Sequence, residues 1–256
     1  QPAELGKIAL ALVLSRVAVV HAPHDLHGLA TCLAVTAGIA LPVMLQPDLG
    51  TVIVYAVMTF AALLVARAPR KYLFALVGLA LISLPLGWTF MKEYQRQRLL
   101  VFLDPYVDPL GAGYNVIQSR IAVGSGGIWG KGFLEGTQSR LHFLPESHTD
   151  FIFSVFAEEF GFAGTVVVLF LYSLLLWRVL STALATKDIR AKVMVSMVAS
   201  WVWFQLFEVM AMSVGLAPVT GIPMPLFSYG GSALLSVSVG LALVQSVHVA
   251  SRKSYV

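Results

Sequence analysis

FIFSVFAEEFGFAGTVVVLFLYSLLLWR, residues 151–178, decides the fold class. A bilayer core of about 30 Å is crossed by roughly 20 apolar residues of helix, and this run is long enough. It carries two carboxylates, Glu158 and Glu159, near its start, and Asp150 stands just before it at the end of a polar stretch. Ionisable groups at that depth are expensive, so each is read as functional or as one half of a buried pair. In a continuous helix rising about 1.5 Å per residue, Glu158 would lie roughly 12 Å deeper than Asp150.

Working outward, further apolar segments occur at 4–20, 28–46, 50–66, 72–91, 193–214 and 231–250, which brings the expected spans to seven. Lys7 and Arg16 interrupt the first of them. The expected fold class is therefore an all-α polytopic membrane protein. Composition agrees: 58% of the 256 residues are apolar and 12% charged, with mean hydropathy +0.82, whereas soluble domains carry about 25% charged residues. The pI near 9.3 does not point to nucleic acid, because the basic residues gather at the ends of apolar runs rather than along one polar face. The lone Cys32 has no internal disulfide partner and reads as a small core hydrophobe. The chain opens at Gln1 without a methionine or a signal peptide, and reads as part of a longer protein.

Orientation follows from Lys and Arg in short connections. Arg67, Arg70 and Lys71 occupy one turn, Arg178, Lys187, Arg190 and Lys192 a second connection, and Arg252 and Lys253 the tail. Alternating spans place all three on one side, the cytoplasm. The long segment 92–150, the tight turn at Pro47-Asp48-Leu49, the start at Gln1–Glu4 and the connection 215–230 then face outward together. Three regions result: spans in 1–91, an outer loop at 92–150, and spans in 151–256 interrupted by 215–230. The outer loop mixes aromatics, aliphatics and balanced charge, unlike a disordered linker, and is expected to fold as a cap with short interfacial helices.

Asp150 is the foremost candidate for chemistry. A carboxylate there, half shielded at the membrane surface, serves as a helix N-cap or as a catalytic base, and the two roles are compatible. One of Glu158 and Glu159 is expected to hold helices together, and Glu208 is read the same way. Asp48, fixed between Pro47 and Gly50, is a turn residue or is aimed at a ligand. Glu4 and Lys7 share a helix face and pair. Arg96, Arg98, Arg120 and Arg140 in the outer loop are suited to phosphate, and equally to lipid headgroups or local acids. The stretch 124–132, GSGGIWGKG, is phosphate-like in composition but is not a Walker A motif: Ser125 replaces the first glycine and Gly132 follows Lys131. The six histidines show no metal-ligand spacing. In 218–232, PVTGIPMPLFSYGGS, three prolines and three glycines exclude a continuous helix. This segment is either a re-entrant loop lining a cavity or a tight surface loop.

Five ordered stretches resemble the SEDS family of shape, elongation, division and sporulation proteins. They are Gln1-Pro2-Ala3-Glu4 with Lys7; Gln46-Pro47-Asp48-Leu49-Gly50-Thr51; Phe102-Leu103-Asp104-Pro105; Leu144 to Phe153 with Glu158-Glu159-Phe160-Gly161; and Gly221-Ile222-Pro223 through Ser228-Tyr229-Gly230-Gly231-Ser232. Ile117-Gln118-Ser119 and Gly136-Thr137-Gln138-Ser139 resemble the elongation branch, RodA, rather than the division branch, FtsW. Val209 and Ala211 depart from the family pattern, where Asn and Gly are expected. Members have about ten spans, so the resemblance implies about three further spans ahead of these seven.

The resemblance implies a glycosyltransferase of the bacterial cytoplasmic membrane that joins lipid II into a β-1,4 glycan at the outer face. Undecaprenyl pyrophosphate leaves as the acceptor's sugar 4-hydroxyl attacks. Such a leaving group needs its charge neutralised rather than a strong general acid. One carboxylate base with cations, or a divalent metal such as Mg or Mn, is then sufficient. The implied base is Asp150. Arg98, Arg120 and Arg140 are implied to hold pyrophosphate, and Glu4, Lys7, Asp48 and Ser228 to shape or contact the substrate cavity. No organic cofactor is implied. The implied partner is a single-span class B penicillin-binding transpeptidase. Two other classes remain open on sequence alone: a lipid II flippase, which needs no special carboxylate, and a non-catalytic scaffold for the transpeptidase.

Overall fold

The computed structural model describes residues 1–111, 113–141, 143–144 and 146–253, and for Leu84, Leu86, Phe90, Ser139 and Lys253 the backbone alone. Pro145 of the fourth family-like stretch, the Ser139 side chain and the Lys253 cation of the tail lie outside the described residues. Among the described residues the chain is helical, without strands. Its helices are α1 (Pro2–Val20), α2 (Leu26–Leu45), α3 (Leu49–Val65), α4 (Arg70–Phe90), α5 (Glu93–Leu103), α6 (Tyr114–Ser125), α7 (Thr137–Arg140), α8 (Ile152–Ala185), α9 (Ile189–Ser213) and α10 (Gly231–Lys253). Four of them, α2, α8, α9 and α10, are long and apolar enough to cross a membrane. At 17 residues α3 is apolar but shorter. This is a helical membrane protein.

The chain forms two compact units. One holds residues 1–81, 174–204 and the chain from Gly231 onward. In it α1, α2 and α3 pack on one another, and α10 lies along α1. Small residues set the approaches, as membrane helices require. A Cβ on Gly6 would stand 2.0 Å from Tyr55 Oη, and the closeness lets that hydroxyl donate to Ala3 O at 2.8 Å. Thr36 and Thr59 join α2 to α3 at 2.9 Å. Asp25 caps α2 by accepting from Gly28 N at 2.8 Å. Asp48 caps α3 by accepting from Thr51 N at 3.0 Å and from the Thr51 hydroxyl at 2.7 Å.

The other unit holds residues 82–173 and 205–230. Here the outer loop folds into α5, a 3-10 turn at Pro105–Val107, α6 and α7. Ser119 of α6, fully buried, donates to Ser213 O at 2.8 Å and bonds Ser154 at 2.7 Å, which ties three segments together.

One expectation is corrected. The run beginning at 151 is not a single continuous helix, because α8 breaks at Gly161, with φ 64° and ψ −161°. The break frees backbone groups, and the glycine-rich stretch 124–132 takes them up. Phe162 N donates to Gly127 O and Ala163 N to Ile128 O, each at 2.9 Å; Lys131 N donates to Glu158 O and Gly132 N to Glu159 O, each at 3.0 Å. Such backbone contact tolerates no side chain. A Cβ on Gly126 would lie 2.0 Å from Ala157 O, and one on Gly130, at φ +80°, 2.0 Å from Glu159 O. The phosphate-like glycines are thus committed to the helix break. Gly130→Ala is expected to cost about 2–4 kcal/mol, from left-handed strain plus overlap with backbone that cannot yield, read as a lowered midpoint in thermal unfolding of the detergent-purified protein.

The same loop accounts for Glu158. Its side chain is fully buried and accepts from Lys131 Nζ at 2.7 Å, Thr137 N and Oγ1 at 2.9 Å each, and Gln138 N at 3.1 Å. Glu158 is the structural acid of the 158–159 pair.

Candidate functional site

Asp150 lies in a tight turn just ahead of α8. Thr149 N and Phe151 N both donate to Glu146 O, at 3.2 and 3.3 Å, while Thr149 Oγ1 donates to Glu146 Oε2 at 3.0 Å. The first helical residue is Ile152. Ser154 N and Val155 N donate to Phe151 O, so Phe151 occupies the capping position. Among the described residues the Asp150 carboxylate accepts no bond from the N–H groups that begin α8. The capping role open on sequence grounds is therefore not what holds this side chain.

The late loop, irregular through 214–230, comes to that turn. Ser228 Oγ donates to Thr149 O at 2.8 Å and accepts from Met224 N at 2.9 Å. Tyr229 N donates to His148 O at 3.0 Å. A Cβ on Gly221 would stand 3.5 Å from Asp150 Oδ2, and Gly221 itself has φ +75°. Ile222 and Met224 are buried, and Tyr172 donates its hydroxyl to Pro225 O. Irregular backbone here is satisfied against protein, as the membrane demands.

Charge converges on the same point. Arg98 of α5 donates to Val219 O at 3.2 Å and acts electrostatically on Asp150. Glu208 of α9 accepts from Thr220 Oγ1 at 2.6 Å, and its Oε2 is buried without a hydrogen-bond partner. Burial pushes the Asp150 carboxyl above the usual aspartate range, and the Glu146 carboxylate adds to this. The Arg98 guanidinium and the Thr149 hydroxyl oppose it. A carboxylate raised in this way is a better proton acceptor than a solvated one. Asp150, Arg98, Glu208 and the 219–221 backbone form one constellation.

The other sequence candidates are placed differently. Arg120 donates to Gly215 O at 3.1 Å, and any Cβ at Gly215 would strike its guanidinium at 2.1 Å; it is fitted to a glycine. Arg140 is exposed at the last residue of α7. Ser228 uses its hydroxyl to fasten the late loop to the Asp150 turn. Glu4, Lys7 and Asp48 belong to the first unit. There Lys7, fully buried, pairs with Glu4 at 2.6 Å and stands 5.0 Å over the Trp201 ring, and Asp48 lies within electrostatic reach of Lys7. Thr220 and Trp201 had no individual signal in the sequence. Their roles come from contacts made across the fold.

Among the described residues no three His, Cys, Asp or Glu side chains cluster as a metal site. Magnesium, however, is commonly bound by one or two carboxylates plus substrate phosphates. Glu208, close enough to Asp150 to feel its charge and with its Oε2 buried without a hydrogen-bond partner, fits that donor set.

Comparison with known proteins agrees with the motifs. The family FTSW_RODA_SPOVE, described as cell cycle protein, matches residues 1–253. The peptidoglycan glycosyltransferase MrdB of Escherichia coli K12 is 43% identical over 250 residues, which is 97% of this chain and 68% of that protein. The peptidoglycan glycosyltransferase RodA of Treponema pallidum is 42% identical over 185 residues, 70% of this chain and 43% of that protein. Among solved structures, a peptidoglycan synthase complex described as coordinating polymerization and crosslinking superposes with TM-score 0.80 at 38% identity, covering 98% of this chain and 70% of its own. The rod shape determining protein RodA of Thermus thermophilus superposes with TM-score 0.63 at 32% identity, covering 97% and 65%. The chain belongs to the FtsW/RodA/SpoVE family of cell cycle proteins, the SEDS family, and stands on its RodA side.

Proposed function

We infer that this chain is a peptidoglycan glycosyltransferase that polymerises lipid II into β-1,4 glycan for cell elongation. It has seven spans and an outer cap, sits in the bacterial cytoplasmic membrane, and works beside a class B penicillin-binding transpeptidase. The names of its relatives support the activity, and a related synthase complex supports a crosslinking partner. The observation that carries the chemistry is Asp150: a half-buried carboxylate, not spent on a helix cap, beside Arg98 and the irregular 219–221 backbone.

In this reading Asp150 takes the proton of the acceptor's sugar 4-hydroxyl as its oxygen attacks the anomeric carbon of the donor. The bond from that carbon to pyrophosphate breaks, and the electron pair leaves with undecaprenyl pyrophosphate. Attack opposite the leaving group inverts the centre and gives the β linkage. Arg98 places positive charge beside the reaction, with Arg120 and Arg140 as further cations of the cap. Ser228 fixes the late loop to the Asp150 turn, and Glu4, Lys7 and Asp48 are further candidates for substrate contact. A divalent cation held by Glu208 together with pyrophosphate oxygens would neutralise the leaving group and leave Asp150 to take the proton.

Incubating the purified full-length protein and its transpeptidase with lipid II in vesicles separates the classes. Glycan strands are expected; lipid movement without glycan would make it a flippase. The Arg98 charge favours ionised Asp150, so Arg98→Gln should raise the Asp150 pKa further. The acid limb of the rate profile then moves to higher pH, measured as the initial rate of glycan formation across the acid range.

A further inference from the structure

We propose that the cytoplasmic end of the first compact unit holds a binding site for an anionic phospholipid headgroup, a phosphodiester bearing a polyol. A cavity of about 280 Å³ is lined by Leu12, Ser15 and Arg16 of α1, by Arg190 and Met194 of α9, and by Asp188 just ahead of α9. Arg16 and Arg190 thus reach one cavity from two helices. Neither guanidinium makes a side-chain hydrogen bond or an ion pair among the described residues. Asp188 is occupied in part: its carboxylate accepts from Arg190 N at 3.0 Å, starting α9.

Three features select the ligand. First, depth: the cavity lies where the apolar part of α8 ends at Ala185 and that of α9 begins at Ile189, the level of lipid headgroups. Basic pockets between helices at that level on the cytoplasmic side are headgroup sites. Second, charge: two guanidiniums against one carboxylate leave the cavity net positive, which attracts the phosphodiester of an anionic headgroup. Leu12 and Met194 supply apolar wall for the start of an acyl chain. Third, the surroundings: a second depression of about 290 Å³ shares Asp188 and Ala191 with the first and presents the hydroxyl-bearing Thr186, Ser246 and Ser251 together with Lys187. Hydroxyl groups beside a phosphate-sized cationic cavity suit a glycerol headgroup. None of these residues belongs to the Asp150 constellation, so the site binds lipid without taking part in transfer.

The test uses the full-length protein in nanodiscs of phosphatidylcholine with graded phosphatidylglycerol, with bound lipid counted by native mass spectrometry. The wild type is expected to retain phosphatidylglycerol over phosphatidylcholine. The Arg16→Gln/Arg190→Gln pair should bind it about tenfold to thirtyfold more weakly, because both cations that face the phosphate are removed. Arg16→Lys/Arg190→Lys keeps the charge and should keep part of the preference, which separates weakened binding from failed folding. Equal retention by the Gln pair would overturn the proposal. So would an equal loss in Arg70→Gln, which removes a cation of the same face outside the cavity. Displacement of the lipid by millimolar inorganic phosphate alone would also overturn it, by assigning the site to free phosphate.

Discussion

Asp150→Asn is expected to lower the rate of lipid II polymerisation by about 10²–10⁴-fold, the usual contribution of a positioned general base. Asparagine keeps the size and hydrogen-bonding capacity of the side chain but cannot accept the proton. Stability should move the other way or not at all. Burial raises the Asp150 carboxyl above its ordinary range, so its ionised form is disfavoured in the folded protein. A carboxyl whose folded pKa exceeds its unfolded value contributes stability at low pH and loses it as pH rises through the folded value. Removing the ionisable group therefore leaves the thermal midpoint at neutral pH unchanged or raised. Loss of turnover without loss of stability marks a residue kept for chemistry. A variant that polymerises normally would move the base to another carboxylate.

The second large effect is expected at Lys7. Its ammonium is fully buried, 2.6 Å from Glu4 and 5.0 Å over Trp201. Glu4 is itself 2% exposed, and its Oε2 has no hydrogen-bond partner. Lys7→Met would leave the Glu4 charge in the helix bundle without a cation, at a cost of about 3–5 kcal/mol. The thermal midpoint in detergent should drop sharply. Glu4→Gln/Lys7→Met should recover most of the loss, since removing both charges is far less harmful than removing one. That double variant also separates packing from substrate contact. Recovered stability with normal polymerisation makes the pair structural, while recovered stability without polymerisation makes it part of the site. An unchanged midpoint in Lys7→Met would contradict the buried-pair account.

The helices were legible because hydrocarbon leaves a strong imprint on sequence. The segments expected at 28–46, 50–66 and 193–214 are observed as Leu26–Leu45, Leu49–Val65 and Ile189–Ser213. The pairing of Glu4 with Lys7 was also legible, because it rests on helical spacing alone. What local pattern hid was the break at Gly161. The run around it is apolar on both sides, and the partners that accept its freed backbone lie in 127–132, about thirty residues upstream. The glycine density of 124–132 was visible, but composition does not distinguish a cradle for phosphate from a cradle for another backbone.

Charged residues behaved likewise. That one acid of Glu158-Glu159 would be structural followed from the cost of burying it, but the identity of its cation, Lys131, did not, since nothing local links residues 131 and 158. The arginines of the cap looked alike in sequence and are unlike in the fold: Arg98 stands by Asp150, Arg120 lies on Gly215, and Arg140 is exposed. The approach of Gly221 and Glu208 to Asp150 depends on the late loop being stitched to 148–149 by Ser228 and Tyr229, contacts no spacing rule reveals.

The pH dependence of single-turnover glycan formation, measured on the full-length protein with lipid II for wild type beside Asp150→Asn, tests Asp150 as the base most directly. The wild-type rate is expected to fall on acidification with an apparent pKa above the ordinary aspartate range, and the variant to show only a low rate without that limb. A variant with the same acid limb at a near-wild-type rate would contradict it.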